Sequence, residues 1–148
     1  MSISGRIEDD LRNALKSGDK NRVSVLRMIK SAVKNREIEK GAPPTDEDVQ
    51  AVLMSFAKKA NESIGQFSKA GRTDLAEKEM AELAVVRQYL PEQLDEDRIR
   101  KIVGETIEET GAAGVKDMGR VMKAVMAKIR GQADGRLVNN IVRKMLEA

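Results

Sequence analysis

Apolar residues recur along most of this chain at spacings of three and four positions, which is the period of an amphipathic α-helix. The clearest stripe is formed by Met118, Val121, Met122, Val125, Met126 and Ile129. Similar stripes, separated by runs of turn residues, predict seven helices. Their approximate spans are residues 3–17, 20–40, 45–70, 73–89, 95–110, 117–130 and 135–146. The pattern therefore predicts an all-α protein.

The segment YLPEQLDED interrupts this helical pattern and predicts a domain boundary. Pro91 restricts Leu90 to extended backbone, which ends the helix before it. Asp95 can cap the helix that follows. We therefore predict two small helical domains. A four-helix part covers residues 1–90, and a three-helix tail covers residues 91–148.

Composition removes several kinds of chemistry. The chain has no Cys and no His, which excludes disulfides, thiolate nucleophiles, Cys/His metal sites and imidazole catalysis. No phosphate-cradling glycine motif and no G-x-S-x-G motif occurs. The acidic runs Asp46–Asp48 and Asp95–Asp97 fall at predicted helix starts, where the helix dipole accounts for them. We therefore expect no metal, no cofactor and no catalytic residue.

Nothing in the sequence points to a membrane. No apolar run approaches the ~18 residues that span a bilayer, and the N-terminal residues lack the apolar region of a signal peptide. We expect a cytoplasmic protein with no membrane partner.

Charge is unevenly distributed along a chain whose net charge is only +3. Residues 116–148 contain eight bases and three acids, and residues 20–36 contain six bases and no acid. In the second zone, four cations share one arc of the predicted helix, opposite its apolar side. This α2 basic stripe comprises Lys20, Arg27, Lys30 and Lys34. Such a surface suits phosphate groups, although it is also typical of any solvated helix face.

Two long stretches resemble the YqeY family. They read AGRTDLAEKEMAELAVVRQYLPEQL and DMGRVMKAVMAKIRGQADGRLVNNIVRKML, and LRMIKSAVKNREIEK and NESIGQF extend the resemblance over nearly the whole chain. The run AKKANESIGQF departs from the family's more basic pattern. The family is similar to the C-terminal part of the B subunit of the glutamine-dependent aspartyl/glutamyl-tRNA amidotransferase, with Asp134 and Gly135 in place of an Asn-Pro pair. That resemblance implies contact with tRNA.

The turn in KIRGQADGRLVNNIVRKML is the most specific local feature. We predict that Gly131 ends the sixth helix in left-handed backbone and that Asp134 caps the seventh. The turn motif comprises Gly131, Ala133, Asp134 and Gly135. The turn does not explain the cations beside it. Because the resemblance implies contact with tRNA, we predict that these cations bind RNA phosphates. These residues are Lys128, Arg130 and Arg136, aided by Arg143 and Lys144.

The resulting interpretation is a non-catalytic tRNA-binding or tRNA-amidotransferase-related adaptor. Its predicted partners are tRNA or another structured RNA, and a protein of tRNA metabolism. One alternative is a helical protein–protein interaction module without RNA contact. Another is a component of a carbon–nitrogen ligase with glutamine as amido donor, the label that the family often carries. Salt dependence separates the first two, because only phosphate binding weakens steeply with salt.

Overall fold

The computed structural model describes residues 2–147, most of which are helical. Within that range it contains seven α-helices and a 3-10 turn at Val115–Asp117. In chain order the helices are α1 Ile3–Ser17, α2 Lys20–Lys40, α3 Asp46–Lys69, α4 Thr73–Arg87, α5 Glu96–Thr110, α6 Met118–Lys128 and α7 Gly135–Glu147. No strand occurs between residues 2 and 147, so the all-α prediction is confirmed.

Contacts between Cα atoms divide the chain into two compact units. The N-terminal unit ends at Pro91 and holds α1 to α4, whereas the C-terminal unit begins at Glu92 and holds α5 to α7. Each unit has an apolar core of its own. That each unit folds independently stays a prediction.

The core of the N-terminal unit takes one apolar stripe from each of its first three helices and the end of the fourth. Its most deeply buried side chains are Leu26, Ile29, Val49 and Leu53. The start of α3 is fixed by a capping box, in which Thr45 and Asp48 each accept the other's backbone N–H. The predicted acid-rich start of this helix is therefore confirmed in detail.

The fourth helix begins where it was predicted but ends earlier. It begins at Thr73, and no side chain caps it, because the N-cap residue Arg72 carries only hydrogen-bond donors. The Arg72 guanidinium pairs with Asp74 at 3.3 Å. The helix ends at Arg87, two residues before the predicted end at Tyr89. Tyr89 is nevertheless buried in the core, because the turn after α4 carries its ring inward.

Tyr89 ties the end of α4 to the first two helices. Its hydroxyl donates to a carboxylate oxygen of Asp10 at 2.5 Å and accepts from Arg22 at 3.3 Å. The Arg6 guanidinium lies 5.3 Å from the centre of the tyrosine ring, within cation–π range. Burial, followed by the Asp10 carboxylate, raises the pKa of Tyr89 to about 12. The phenol therefore stays protonated and serves as a donor.

The C-terminal unit has an aliphatic core without aromatic side chains. Its fully buried hydrophobic residues are Ile99, Val103, Val121, Val125, Ile129, Val138 and Val142. The methionines of α6 are partly buried and pack against this core. They fill space between the helices, as flexible thioether side chains commonly do.

Candidate nucleic-acid interface

The turn between α6 and α7 packs against the segment that enters the C-terminal unit. Gly131 has left-handed backbone with φ of 72°, and its carbonyl accepts from the Gln93 side chain at 2.8 Å. The backbone N–H of Leu94 donates to the carbonyl of Gln132 at 2.8 Å. Ala133 is buried. Because α6 already ends at Lys128, Gly131 lies inside the turn and not at the helix end, where it was predicted.

Asp134 caps α7, as the sequence predicted. Its side chain accepts from the backbone N–H of Arg136 at 3.1 Å, and its carbonyl accepts from that of Val138 at 3.1 Å. Gly135 is the first residue of the helix. The turn motif therefore has a structural role that is complete within the C-terminal unit.

Lys128 differs from the predicted cations on α7 because its ammonium group already has partners. It lies 2.7 Å from the Glu109 carboxylate and donates to the Thr106 hydroxyl at 3.0 Å. Thr106 is fully buried and donates in turn to the carbonyl of Ile102 at 2.7 Å. These bonds join the end of α6 to α5. Arg130 is exposed in the turn after α6, and it also has an interaction within the protein.

Three predicted cations lie on the exposed side of α7, opposite its buried stripe. This α7 basic face comprises Arg136, Arg143 and Lys144. At about 100° per residue they fall within one arc, and Arg136 and Arg143 lie about 10 Å apart along the axis. Among residues 2–147, no carboxylate approaches any of the three within the 4.0 Å of an ion pair. Asn140 lies in the same arc and is exposed; helical phase could have identified it from the sequence.

The cations of α5 have a different environment in the same unit. Arg98 lies 3.7 Å from Glu92, and Arg100 lies 3.2 Å from Glu96 and 3.5 Å from Asp97. These two arginines are therefore paired, whereas the cations of the α7 basic face form no ion pair within the described residues, and the exposed carboxylate of Glu147 lies in the same arc. Lys101 completes a second set of two arginines and one lysine on an exposed helix surface.

The four residues of the α2 basic stripe are all exposed in the N-terminal unit. Lys30 lies 3.8 Å from Glu8 and Lys34 lies 3.6 Å from Glu37, both loose ion pairs. Within residues 2–147, Lys20 and Arg27 have no carboxylate inside that range. Three of the four cations border a shallow depression of about 470 Å³, lined by Leu11, Arg27, Lys30, Ser31, Lys34 and Asn35.

The acidic runs at helix starts have partners that explain them. The Asp48 carboxylate bonds the Lys40 ammonium at 2.7 Å and the Thr45 backbone at 2.9 Å. These bonds, the one to Lys40 first, lower the pKa of Asp48 to about 2. The Asp46 carboxylate accepts from the backbone N–H of Ile3 at 3.0 Å, and that of Asp95 caps α5.

No helix in the described part of the chain is both long and apolar enough to cross a membrane.

Comparison with known proteins assigns the chain to a family. The family model described as "Yqey-like protein" matches residues 4–146. The chain is 30% identical over 146 residues to altered inheritance of mitochondria protein 41, mitochondrial, of Pyrenophora tritici-repentis, covering 97% of this chain and 80% of the relative. It is 38% identical over 91 residues to an uncharacterized protein of Schizosaccharomyces pombe, covering 62% of this chain and 74% of the relative.

A further match connects the chain to part of an enzyme. It is 47% identical over 49 residues to the E subunit of glutamyl-tRNA(Gln) amidotransferase of Thermococcus sibiricus. The match covers 33% of this chain but 8% of the Thermococcus protein. The likeness therefore concerns a small region of that protein.

Proposed function

This chain belongs to the Yqey-like protein family, and from that premise we propose that it is a non-catalytic adaptor that binds tRNA or another structured RNA through the α7 basic face. The observation that carries the proposal is that the three cations of that face form no ion pair and outnumber the carboxylate of Glu147 in the same arc. Arg136, Arg143 and Lys144 project from one side of a single helix with no carboxylate in ion-pair range among residues 2–147. Elsewhere in the C-terminal unit, Lys128 and the arginines of α5 are paired, and the exposed lysines without an ion pair, Lys101, Lys116 and Lys123, belong to three different elements.

Cations without an ion pair on a helix surface suit a phosphate backbone. Each phosphate neutralised by a cation releases condensed counterions, which favours binding at low salt and does not depend on sequence. Structured RNA presents phosphates and 2′-hydroxyls across a wide, shallow groove, which a helix surface can contact without aromatic stacking. The chain has only one Tyr, two Phe and no Trp, so shape and charge would carry the recognition.

Similarity to part of an amidotransferase supports tRNA as the RNA. The name of the Thermococcus relative specifies glutamyl-tRNA(Gln), and the Pyrenophora relative carries the word mitochondrial in its name. Location in the cytoplasm stays a prediction for this chain.

Because the chain has neither Cys nor His, we expect no ammonia release from glutamine, with or without ATP and charged tRNA. Turnover that scales with protein and survives repurification would contradict the non-catalytic role.

The decisive experiment compares two triple variants with the same loss of charge. Arg136→Ala, Arg143→Ala and Lys144→Ala remove the α7 basic face. Arg98→Ala, Arg100→Ala and Lys101→Ala remove two arginines and one lysine from α5, so both variants lower the formal net charge of +3 by three. Binding of bulk tRNA is titrated at several salt concentrations.

Wild type should show a slope of log affinity against log salt of about −2 to −3, as expected if roughly three phosphates are neutralised. The α7 variant should lose most of that slope and weaken all tRNAs alike, because phosphate contacts position RNA without reading its sequence. The α5 variant should keep the wild-type slope. An equal loss of slope in both variants would mean that binding depends on the net charge of the protein and not on a particular site.

The protein–protein module remains the second candidate, and the same titration tests it. If wild type binds no tRNA even at low salt, RNA binding is wrong and protein docking takes its place. If tRNA binds but the α7 variant is unaffected, the site lies elsewhere. The α2 basic stripe is then tested with Arg27→Ala, Lys30→Ala and Lys34→Ala.

A further inference from the structure

A small pit opens in the N-terminal unit where α2, α3 and α4 meet. Its volume is about 210 Å³. The floor is apolar and belongs to the core, and it is formed by Val25, Ile29, Phe56, Ala60 and Val86. At its rim, Met28 leaves 43% of its surface exposed. The pit therefore offers apolar walls at the surface without a side chain of the protein filling them.

The volume decides which class of occupant fits. Pockets for cofactors and drug-sized ligands usually measure about 300 to 1,000 Å³, so this pit is too small for them. A single long side chain inserted from another protein is of the right size. Anchors of that kind, in well-packed pockets, carry most of the affinity in protein–protein interfaces.

Two carboxylates give the pit a charge preference. Glu79 and Glu82 both line it from α4, three residues apart on the same face. Among residues 2–147, no cation lies within 4.0 Å of either carboxylate. Burial, followed by the charge of Glu79, raises the pKa of Glu82, and the charge of Lys78 opposes that effect. The two acids therefore repel each other beside an apolar wall, and a guest cation would relieve that repulsion.

We propose that this pit binds an arginine side chain of a protein partner, with the aliphatic stem on the apolar floor and the guanidinium bridging Glu79 and Glu82. Arginine fits because its planar fork presents five N–H donors and can bond two carboxylates at once, whereas a lysine ammonium is a strongly hydrated point charge. RNA does not fit, because the carboxylates repel phosphates. The site goes beyond the proposed RNA contact and supplies an adaptor with its second partner.

Neighbouring groups are compatible with this occupant. Lys59 lines the pit from α3, but its ammonium group is not in ion-pair range of either glutamate and leaves both available to a guest. Met28 can adjust to the partner's surface around the inserted arginine, because its side chain is unbranched and polarizable.

The test uses n-butylguanidinium as a stand-in for the arginine side chain, followed by NMR of the full chain. We expect saturable shifts of the methyl signals of Val25, Ile29 and Val86, with a dissociation constant of about 1 to 10 mM for so small a ligand. Its neutral isostere, n-butylurea, should bind at least about tenfold more weakly, because charge-assisted bonds supply much of the affinity.

Two double variants separate this site from a general charge effect. Glu79→Gln with Glu82→Gln should weaken n-butylguanidinium about tenfold or more. Glu105→Gln with Glu108→Gln removes two exposed acids at the same spacing on α5 and should leave the affinity unchanged. Absence of saturable shifts up to about 50 mM would overturn the proposal, since that exceeds the expected constant severalfold. Equal binding of n-butylurea, or an unaffected Glu79/Glu82 variant, would also overturn it. Binding of tRNA by the same variants reports separately on the RNA proposal.

Discussion

The two units of this protein use charged side chains in different ways. In the N-terminal unit, charged groups join helices to one another: Asp46 bonds the start of α1, Asp48 bonds the end of α2, and Asp10 holds Tyr89 after α4. In the C-terminal unit, the Lys128–Glu109 ion pair joins α6 to α5, but the turn before α7 is joined to the entry segment by neutral groups, namely the side chain of Gln93 and the backbone of Leu94.

This difference distinguishes charged groups that hold helices together from charged groups that can bind a ligand. A cation that bonds a carboxylate on another helix has its field cancelled nearby, and its removal costs stability. A cation on the α7 basic face has no such partner among residues 2–147, and it costs little stability to remove. The inference that α7 is the RNA-contacting surface depends on this contrast more than on the total charge of the tail.

The largest expected effect concerns how far the two units are independent. Ile99→Ala in the C-terminal unit and Leu26→Ala in the N-terminal unit each truncate a fully buried side chain, at a cost of about 2 to 5 kcal/mol. A unit as small as the C-terminal one has only about 3 to 9 kcal/mol in total. Ile99→Ala should therefore melt that unit first.

Two optical signals distinguish the units. Tyr89 is the single tyrosine of the chain and reports on the N-terminal unit, whereas far-ultraviolet circular dichroism reports on all helices. In Ile99→Ala, ellipticity should fall at a temperature where the tyrosine signal is still native. A fragment covering residues 92–148 should also be helical but marginally stable. Coincident transitions in the variant, together with a random-coil fragment, would mean that both units form one cooperative structure.

A smaller effect on stability should distinguish a cation that holds helices together from one that binds RNA. Lys128→Met keeps the aliphatic stem but removes the ammonium group that bonds Thr106 and Glu109, and it should lower the free energy of unfolding by about 1 kcal/mol. Arg143→Ala should change it by less than about 0.5 kcal/mol. Affinity for tRNA should respond in the opposite order. If Lys128→Met weakens tRNA binding more than Arg143→Ala, the paired cation is the functional one and the contrast drawn from α7 is wrong.

The sequence predicted the helices well because periodic stripes and caps are local signals. Helix α2 was predicted at its observed bounds, and Asp95 and Asp134 cap the helices assigned to them. The end of α4 was missed because the turn that buries Tyr89 depends on contacts with Asp10 and Arg22, far away in the chain. Tertiary contacts of that kind leave no local periodicity.

The predicted site was less accessible to sequence reasoning. Lys128 and Arg143 look alike in a sequence, and only the position of Glu109 on a neighbouring helix shows that the first is paired. The pit beside Glu79 and Glu82 was missed for the same reason, because three helices that are separate in sequence form it. Its one local signal is two acids three residues apart, which is common on helix surfaces.

The smallest effect concerns the charged junction between α2 and α3. The pKa of Asp48 is lowered to about 2 from an ordinary value of 3.8, so its contribution to stability is complete above about pH 4 and is lost as the pH falls through 2. Asp48→Asn retains an oxygen that can accept from the Thr45 backbone but removes the charge that faces Lys40. The urea midpoint followed by Tyr89 should therefore fall more steeply between pH 4 and pH 2 in wild type than in the variant. Asp97→Asn, which removes a first-turn carboxylate in the C-terminal unit, should follow the wild-type curve. A variant curve parallel to wild type would show that other carboxylates cause the acid sensitivity of the N-terminal unit.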